Sequence, residues 1–235
     1  MANFEDIESM PADFTGRVRL FPLPNLVLFP HVMQPLHIFE PRYRAMLEDA
    51  LEHDRLIAMA TLCPGWENQY EGRPAVYPVA CLGRIATHHC LDDGTYNVLL
   101  FGLRRVKLLR ELEPQQLFRL ADVEVCEDCC LPQEAAVRAE LQRRLRQAFL
   151  RIIPVLPEAQ EQLEHLLGSD VSLGVLTDVI GYVLDIPVAE KQNLLAEVNA
   201  HRRAELLLTH LTAAAEEHSL GPSGTSGFPP TFSPN

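Results

Sequence analysis

Polar and apolar residues alternate through Arg17-Val-Arg-Leu-Phe21, the period-two pattern of a half-buried strand. Pro22-Leu-Pro24 interrupts the pattern, and the apolar run Leu26-Val-Leu-Phe29, ended by Pro30, predicts a second strand. Gln34 to Phe39 predicts a third. Glu40-Pro41 then marks a helix entry with proline at the first helical position. Tyr43, Met46, Leu47, Ala50 and Leu51 recur at i, i+3, i+4, i+7 and i+8, so one amphipathic helix is expected over about 41–53. Leu56 to Leu62 reads as a buried strand, and Cys63 to Pro74 as a long loop carrying the only tryptophan, Trp66. Val76 to Cys90 predicts a long or bent strand kinked at Gly83, followed by a hairpin at Asp92-Asp-Gly94. Tyr96 to Phe101, Arg105 to Arg110 and Leu117 to Cys126 complete a compact, barrel-like β domain.

The period then changes. Leu141, Leu145, Ala148, Phe149 and Ile152 keep helical spacing within 133–153, and Pro154 ends the run. Pro157 opens a shorter helix that Gly168 closes. Asp170-Val-Ser172 caps a helix whose apolar side is Leu173, Leu176, Val179, Ile180, Val183 and Leu184, and Pro187 starts a last helical region reaching about Glu217. The expected organisation is a flexible arm over 1–14, a β-rich domain over 15–126, a helical bundle over 127–218 and a Gly, Pro and Ser-rich disordered tail over 219–235. The fold class is therefore α+β.

Composition narrows the function classes. A 47% hydrophobic content supplies a globular core, and no apolar run approaches the roughly 18 residues that span a bilayer. The acidic start, without a basic region and apolar stretch, lacks a secretory signal, so a cytoplasmic location is expected. A formal net charge of -12 repels a phosphate backbone, which argues against nucleic acid as a partner. The arginines at 138, 143, 144, 146 and 151 crowd one predicted helix and read as a solvated face. Cys126, Cys129 and Cys130 include one C-x-x-C pair, but no second pair exists to complete a zinc site. No metal and no cofactor are expected, and the cysteines read as reduced thiols.

Catalytic signatures are missing from the chain. No G-x-x-x-x-G-K-[ST] occurs, and the two lysines, Lys107 and Lys191, follow no glycine loop. No serine lies between Met10 and Gly168, so the β domain has no serine nucleophile. A cysteine hydrolase built on Cys63, Cys81 or Cys90 has no local signature to support it. Asp92 and Asp93 serve as turn residues, and Glu48 and Asp49 as a solvated helix face. The expectation is a protein that is not an enzyme.

The words Phe21-Pro-Leu-Pro-Asn-Leu-Val-Leu-Phe-Pro30 and Pro35-Leu-His-Ile-Phe-Glu-Pro-Arg-Tyr-Arg-Ala-Met-Leu47 resemble the opening signature of the amino-terminal domain of the ATP-dependent protease Lon. Val79-Ala-Cys-Leu-Gly-Arg-Ile85, the run from Asp93-Gly94 to Leu109, and Ile186 to Leu195 with Arg202-Arg203 and Leu206-Leu-Leu208 extend the likeness over about 15–217. The resemblance implies a PUA-like pseudo-barrel joined to a helical bundle, and a free-standing module that binds unfolded or tagged polypeptides as an adaptor to a separate protease or chaperone. Two departures stand out: the chain ends in a tail where the family's proteases continue into ATPase and Ser-Lys peptidase domains, and His31 stands where small residues are common. Candidate polypeptide-binding residues are Phe39, Tyr43, Met46 and Trp66, each also readable as core. The competing readings are a structural adaptor docking one fixed partner through its helical bundle, and an RNA binder, which the acidic balance opposes.

Overall fold

The computed structural model describes residues 9–70, 72–113, 116–129, 135–152, 171–219 and 233–234. It divides into two compact units, one of residues 1–127 with 229–235 and the other of residues 128–228.

The first unit is built on a closed ring of strands. β1 (Arg17–Leu23), β2 (Met33–Ile38), β3 (Leu56–Thr61), β4 (Val79–Cys90), β5 (Tyr96–Glu111) and β6 (Arg119–Cys126) are joined by a two-residue β7 (Ser233–Pro234) in the order β4-β3-β1-β6-β5-β2-β7. An additional β4–β5 pairing closes β4, β3, β1, β6 and β5 on themselves. All pairings of the ring are antiparallel except β1 with β3, where Arg19 faces Ile57 and Leu23 faces Thr61. Closure removes the exposed edges that an open sheet of these strands would present. β2 lies outside the ring along the first half of β5, with Met33 opposite Phe101 and Ile38 opposite Tyr96. β7 runs parallel to β2, pairing Ser233 with Leu36 and Pro234 with His37.

Alternation puts one set of side chains from every ring strand into a common core: Val18 and Leu20, Leu56, Ala58 and Ala60, Ala80 and Leu82, Leu103 and Val106, Ala121 and Val123. The many alanines suit a narrow interior. β1 is buried on both faces because α1 (Pro41–Glu52) covers its other side. Tyr43, Met46, Leu47 and Ala50 are the buried stripe of α1, and the Phe21 and Tyr43 ring centroids lie 4.6 Å apart. Arg19, also on that outer side, is ion-paired with Asp49 of α1 and with Asp54 just beyond it, at 2.6 Å from the latter.

In the first unit, three expectations change on folding. Leu26–Phe29 is not a strand: Val27, Leu28 and Phe29 are buried in a loop that crosses β5 at Gly102. There His31 donates its amide to the Gly102 carbonyl at 2.8 Å, and Gly102 donates to the Val32 carbonyl at 2.9 Å. His31 holds a left-handed φ of 64° at this crossing. The two strands expected over 96–101 and 105–110 are one continuous β5, whose first half pairs β2 and second half β6 while β4 follows it from Tyr96 to Lys107. Of the arm expected over 1–14, residues 1–8 lie outside the described residues; residues 9–14 form a turn that packs Met10 and Phe14 against the core.

The second unit holds α2 (Ala135–Ile152), α3 (Leu173–Val183), α4 (Val188–Ala196) and α5 (Ala200–Ser219). Ser172 caps α3, accepting from the Val175 amide at 3.2 Å. The single helical region expected after Pro187 is two helices, because Asn199 starts a new one: its Oδ1 accepts from the amides of His201 and Arg202. Leu141, Leu145 and Phe149 of α2 and Ala204, Leu207 and Leu211 of α5 supply the core. Arg203, fully buried, ties the unit together by bonds to Asp128, the Thr177 hydroxyl and the Glu197 carbonyl, and lies 3.4 Å from Asp178. The helix expected over 157–168 and the tail over 220–232 lie outside the described residues.

Candidate functional site

A cleft of about 240 Å³ opens on the first unit, where the long loop after β3 meets the start of α1 and the segment leading into β6. Its floor is apolar: Leu20, Pro22, Tyr43, Leu62 and Phe118. Its rim carries Tyr70, the loop residues 72–74, Gln116 and Leu117, which is 75% exposed. An open apolar hollow with an exposed leucine at its lip suits an apolar side chain from a partner.

The loop wall is fixed to α1 by one stacked assembly. The guanidinium carbon of Arg42 lies 4.6 Å from the Tyr43 ring centroid and 4.7 Å from that of Tyr70, in cation–π range of both. Arg42 also donates through Nη1 to the Tyr70 carbonyl at 3.2 Å and through Nε to Glu40 at 3.0 Å. Tyr70 in turn donates its hydroxyl to Glu40 at 2.5 Å. Trp66, in a short 3-10 turn (Trp66–Gln69), meets Tyr70 edge-on at 5.5 Å between centroids. Gly65 starts that turn at a φ of 90°, a left-handed value.

The far end of the loop is held by two further arginines. Arg119, nearly buried, donates Nη1 to the Pro74 carbonyl at 3.0 Å and pairs with Glu111. Arg73 donates to the Leu112 carbonyl at 3.1 Å. Burial, reinforced by the hydrogen bond to Glu40 and its charge, pushes the Tyr70 phenol above its ordinary range, and burial holds Tyr43 well above it. Both hydroxyls stay protonated at neutral pH and act as hydrogen-bond donors, Tyr43 to the Pro22 carbonyl at 3.2 Å.

The four residues singled out from sequence occupy different places. Tyr43 forms cleft floor, and Trp66 stacks on the cleft wall, half-buried. Phe39 is 42% exposed at the end of β2, stacked on His37 at 6.1 Å. Met46 is fully buried under α1 and presents no surface. Sequence reasoning missed Arg42, Arg73 and Arg119, for which the only signal was an arginine beside an aromatic or a proline. Among the described residues no group of three or more His, Cys, Asp or Glu is placed to hold a metal ion, and Cys130 lies outside them. No helix among the described residues is long and apolar enough to cross a membrane.

Comparison with known proteins bears on the whole chain. Residues 17–213 match the model of the ATP-dependent protease La (LON) substrate-binding domain. The Lon protease of Anaeromyxobacter dehalogenans is 28% identical over 204 residues, 87% of this chain and 24% of the relative. Lon protease 2 of Desulfotalea psychrophila is 30% identical over 190 residues, 80% of this chain and again 24% of the relative. The chain thus spans about a quarter of these relatives' length. Among solved structures, the N-terminal domain of Mycobacterium avium complex Lon protease superposes with a TM-score of 0.66 at 16% identity, over 83% of this chain and 98% of that one. The Lon N-terminal domain protein from Xanthomonas campestris gives 0.58 at 22%, over 82% and 97%. By its sequence match, and with a fold those neighbours share, the chain belongs to the LON substrate-binding domain family.

Proposed function

We propose that this chain is a non-catalytic polypeptide-binding module, an adaptor in protein quality control that takes hold of unfolded or tagged polypeptides and presents them to a separate protease or chaperone in the cytoplasm. The observation that carries the reading is the cleft itself: an apolar floor in an α+β scaffold, walled by a pinned loop and lipped by exposed Leu117. Membership of a substrate-binding family supports it. So does the chain's own sequence, which holds no phosphate-binding glycine loop and no serine between residues 10 and 169. A short extended segment seats one apolar side chain on Leu20, Pro22, Tyr43, Leu62 and Phe118, and Trp66 and Phe39 are the aromatic anchors with surface to offer.

Trp66 is the only tryptophan and stands against the cleft wall, so its emission reports occupancy. Titration of the full chain with a tryptophan-free, permanently unfolded polypeptide is expected to shift that emission saturably. Leu117→Asp, at a side chain that packs on little, is expected to weaken binding about tenfold or more with the circular dichroism unchanged. Absence of saturable binding, or binding indifferent to Leu117→Asp, would overturn the reading.

A further inference from the structure

Among the described residues, the lining of the cleft reverses the sign of the chain around it. The sequence carries 32 Asp and Glu against 20 Lys and Arg, yet the described lining includes Arg42, Arg73 and Arg119 and no carboxylate. Two of the three guanidinium charges are already compensated, Arg42 by Glu40 and Arg119 by Glu111. Arg73 is exposed, and its hydrogen bond to the Leu112 carbonyl at 3.1 Å leaves its charge to act on whatever enters. Among the described residues the site is therefore an apolar hollow of one side chain's dimensions, with Arg73 as the outward-facing positive charge at its rim.

We propose that the cleft selects segments in which a large apolar residue is followed, two positions along, by Asp or Glu. In an extended chain the side chains at i and i+2 return to the same face about 6.6 to 7 Å apart, so the first sits on the floor while the second meets Arg73. The selection rests on the polypeptide-binding reading above and specifies its substrate class. A rim pair of this kind is solvated, so it sorts ligands and contributes little to overall affinity.

The test uses the full chain and three acetylated, amidated peptides, Gly-Ser-Leu-Ser-X-Ser-Gly with Asp, Asn or Lys at X, titrated by Trp66 emission. Affinity is expected to fall from Asp to Asn to Lys by about two- to fivefold at each step, and the differences to collapse in 1 M salt. Arg73→Gln is expected to erase the order and Arg73→Glu to reverse it, with the circular dichroism unchanged. Equal affinities for the three peptides would overturn the selectivity and leave polypeptide binding standing. An Asn peptide with a free C-terminus that matches the Asp peptide would also overturn it, by assigning the rim to the chain terminus. If none of the peptides binds, both readings fall.

Discussion

The Arg42 guanidinium carbon stands 4.7 Å from the centroid of the Tyr70 ring, and the same side chain donates to the Tyr70 carbonyl at 3.2 Å. One residue thus fixes both the ring and the backbone of the cleft wall to the first turn of α1. Arg42→Ala is expected to cost about 1 to 2 kcal/mol, the worth of a partly buried cation–π contact and its hydrogen bonds. The free loop should shift Trp66 emission to the red. Arg42→Lys should recover little, because an ammonium cannot meet both rings while donating to Glu40 and to the Tyr70 carbonyl. Urea denaturation with emission spectra of the three proteins checks this.

Alkaline pH acts through Tyr43. Burial holds its phenol well above the ordinary range, so the folded state keeps the proton that the unfolded chain releases near pH 10. A folded value raised above the unfolded one contributes stability that is fully present below about pH 10 and is lost as pH rises toward the folded value. Tyr43→Phe removes the group. It is expected to cost about 1 kcal/mol at pH 7, from the bond to the Pro22 carbonyl, and to flatten the fall in stability above pH 10. Urea midpoints at pH 7 and 10.5 for both proteins measure the difference.

Gly102 permits the crossing that replaces the expected second strand. A Cβ there would stand 2.0 Å from the Phe29 carbonyl oxygen and 3.2 Å from the Cys81 sulfur. The clash is with backbone, which a rotamer change cannot relieve. Gly102→Ala is therefore expected to cost more than about 3 kcal/mol, read as a lowered urea midpoint in Trp66 emission.

In the helical unit, Arg203→Met would remove a fully buried guanidinium together with its bonds to Asp128, the Thr177 hydroxyl and the Glu197 carbonyl and its approach to Asp178. The expected loss is about 3 to 5 kcal/mol. Because Trp66 belongs to the first unit, helical unfolding followed at 222 nm should move to lower urea, while the Trp66 transition reports the β unit by itself.

The helix over 41–53 was legible from sequence because a proline entry and an unbroken apolar stripe agree. The strands at 17–21 and 56–62 were legible because proline or polar residues bound them on both sides. Leu26–Phe29 reads as a strand because of its burial, which Val27, Leu28 and Phe29 report faithfully, but the burial comes here without ladder pairing. Gly102 lies between the two runs that read as separate strands, and it is where β5 lets another segment cross it. Met46 shows the limit on the site side, since a periodic apolar residue reads the same whether it faces the core or a partner. The three arginines were illegible as a group. They come from α1, a loop and β6, and only the ring of strands brings them around one hollow.

β1 finds its neighbours at very different distances along the chain: Leu20 pairs with Ala58 on one side and with Arg119 on the other. On the ribosome, then, β1 has half its hydrogen-bonding complement unmade until some hundred further residues have emerged. The slow event in folding should be this late closure, with its long loop to constrain, and not the formation of α1 or the β4–β5 hairpin. A nascent chain halted before residue 119 would leave the β6 flank of β1 without its partner, an exposed edge of the kind that invites pairing with other chains.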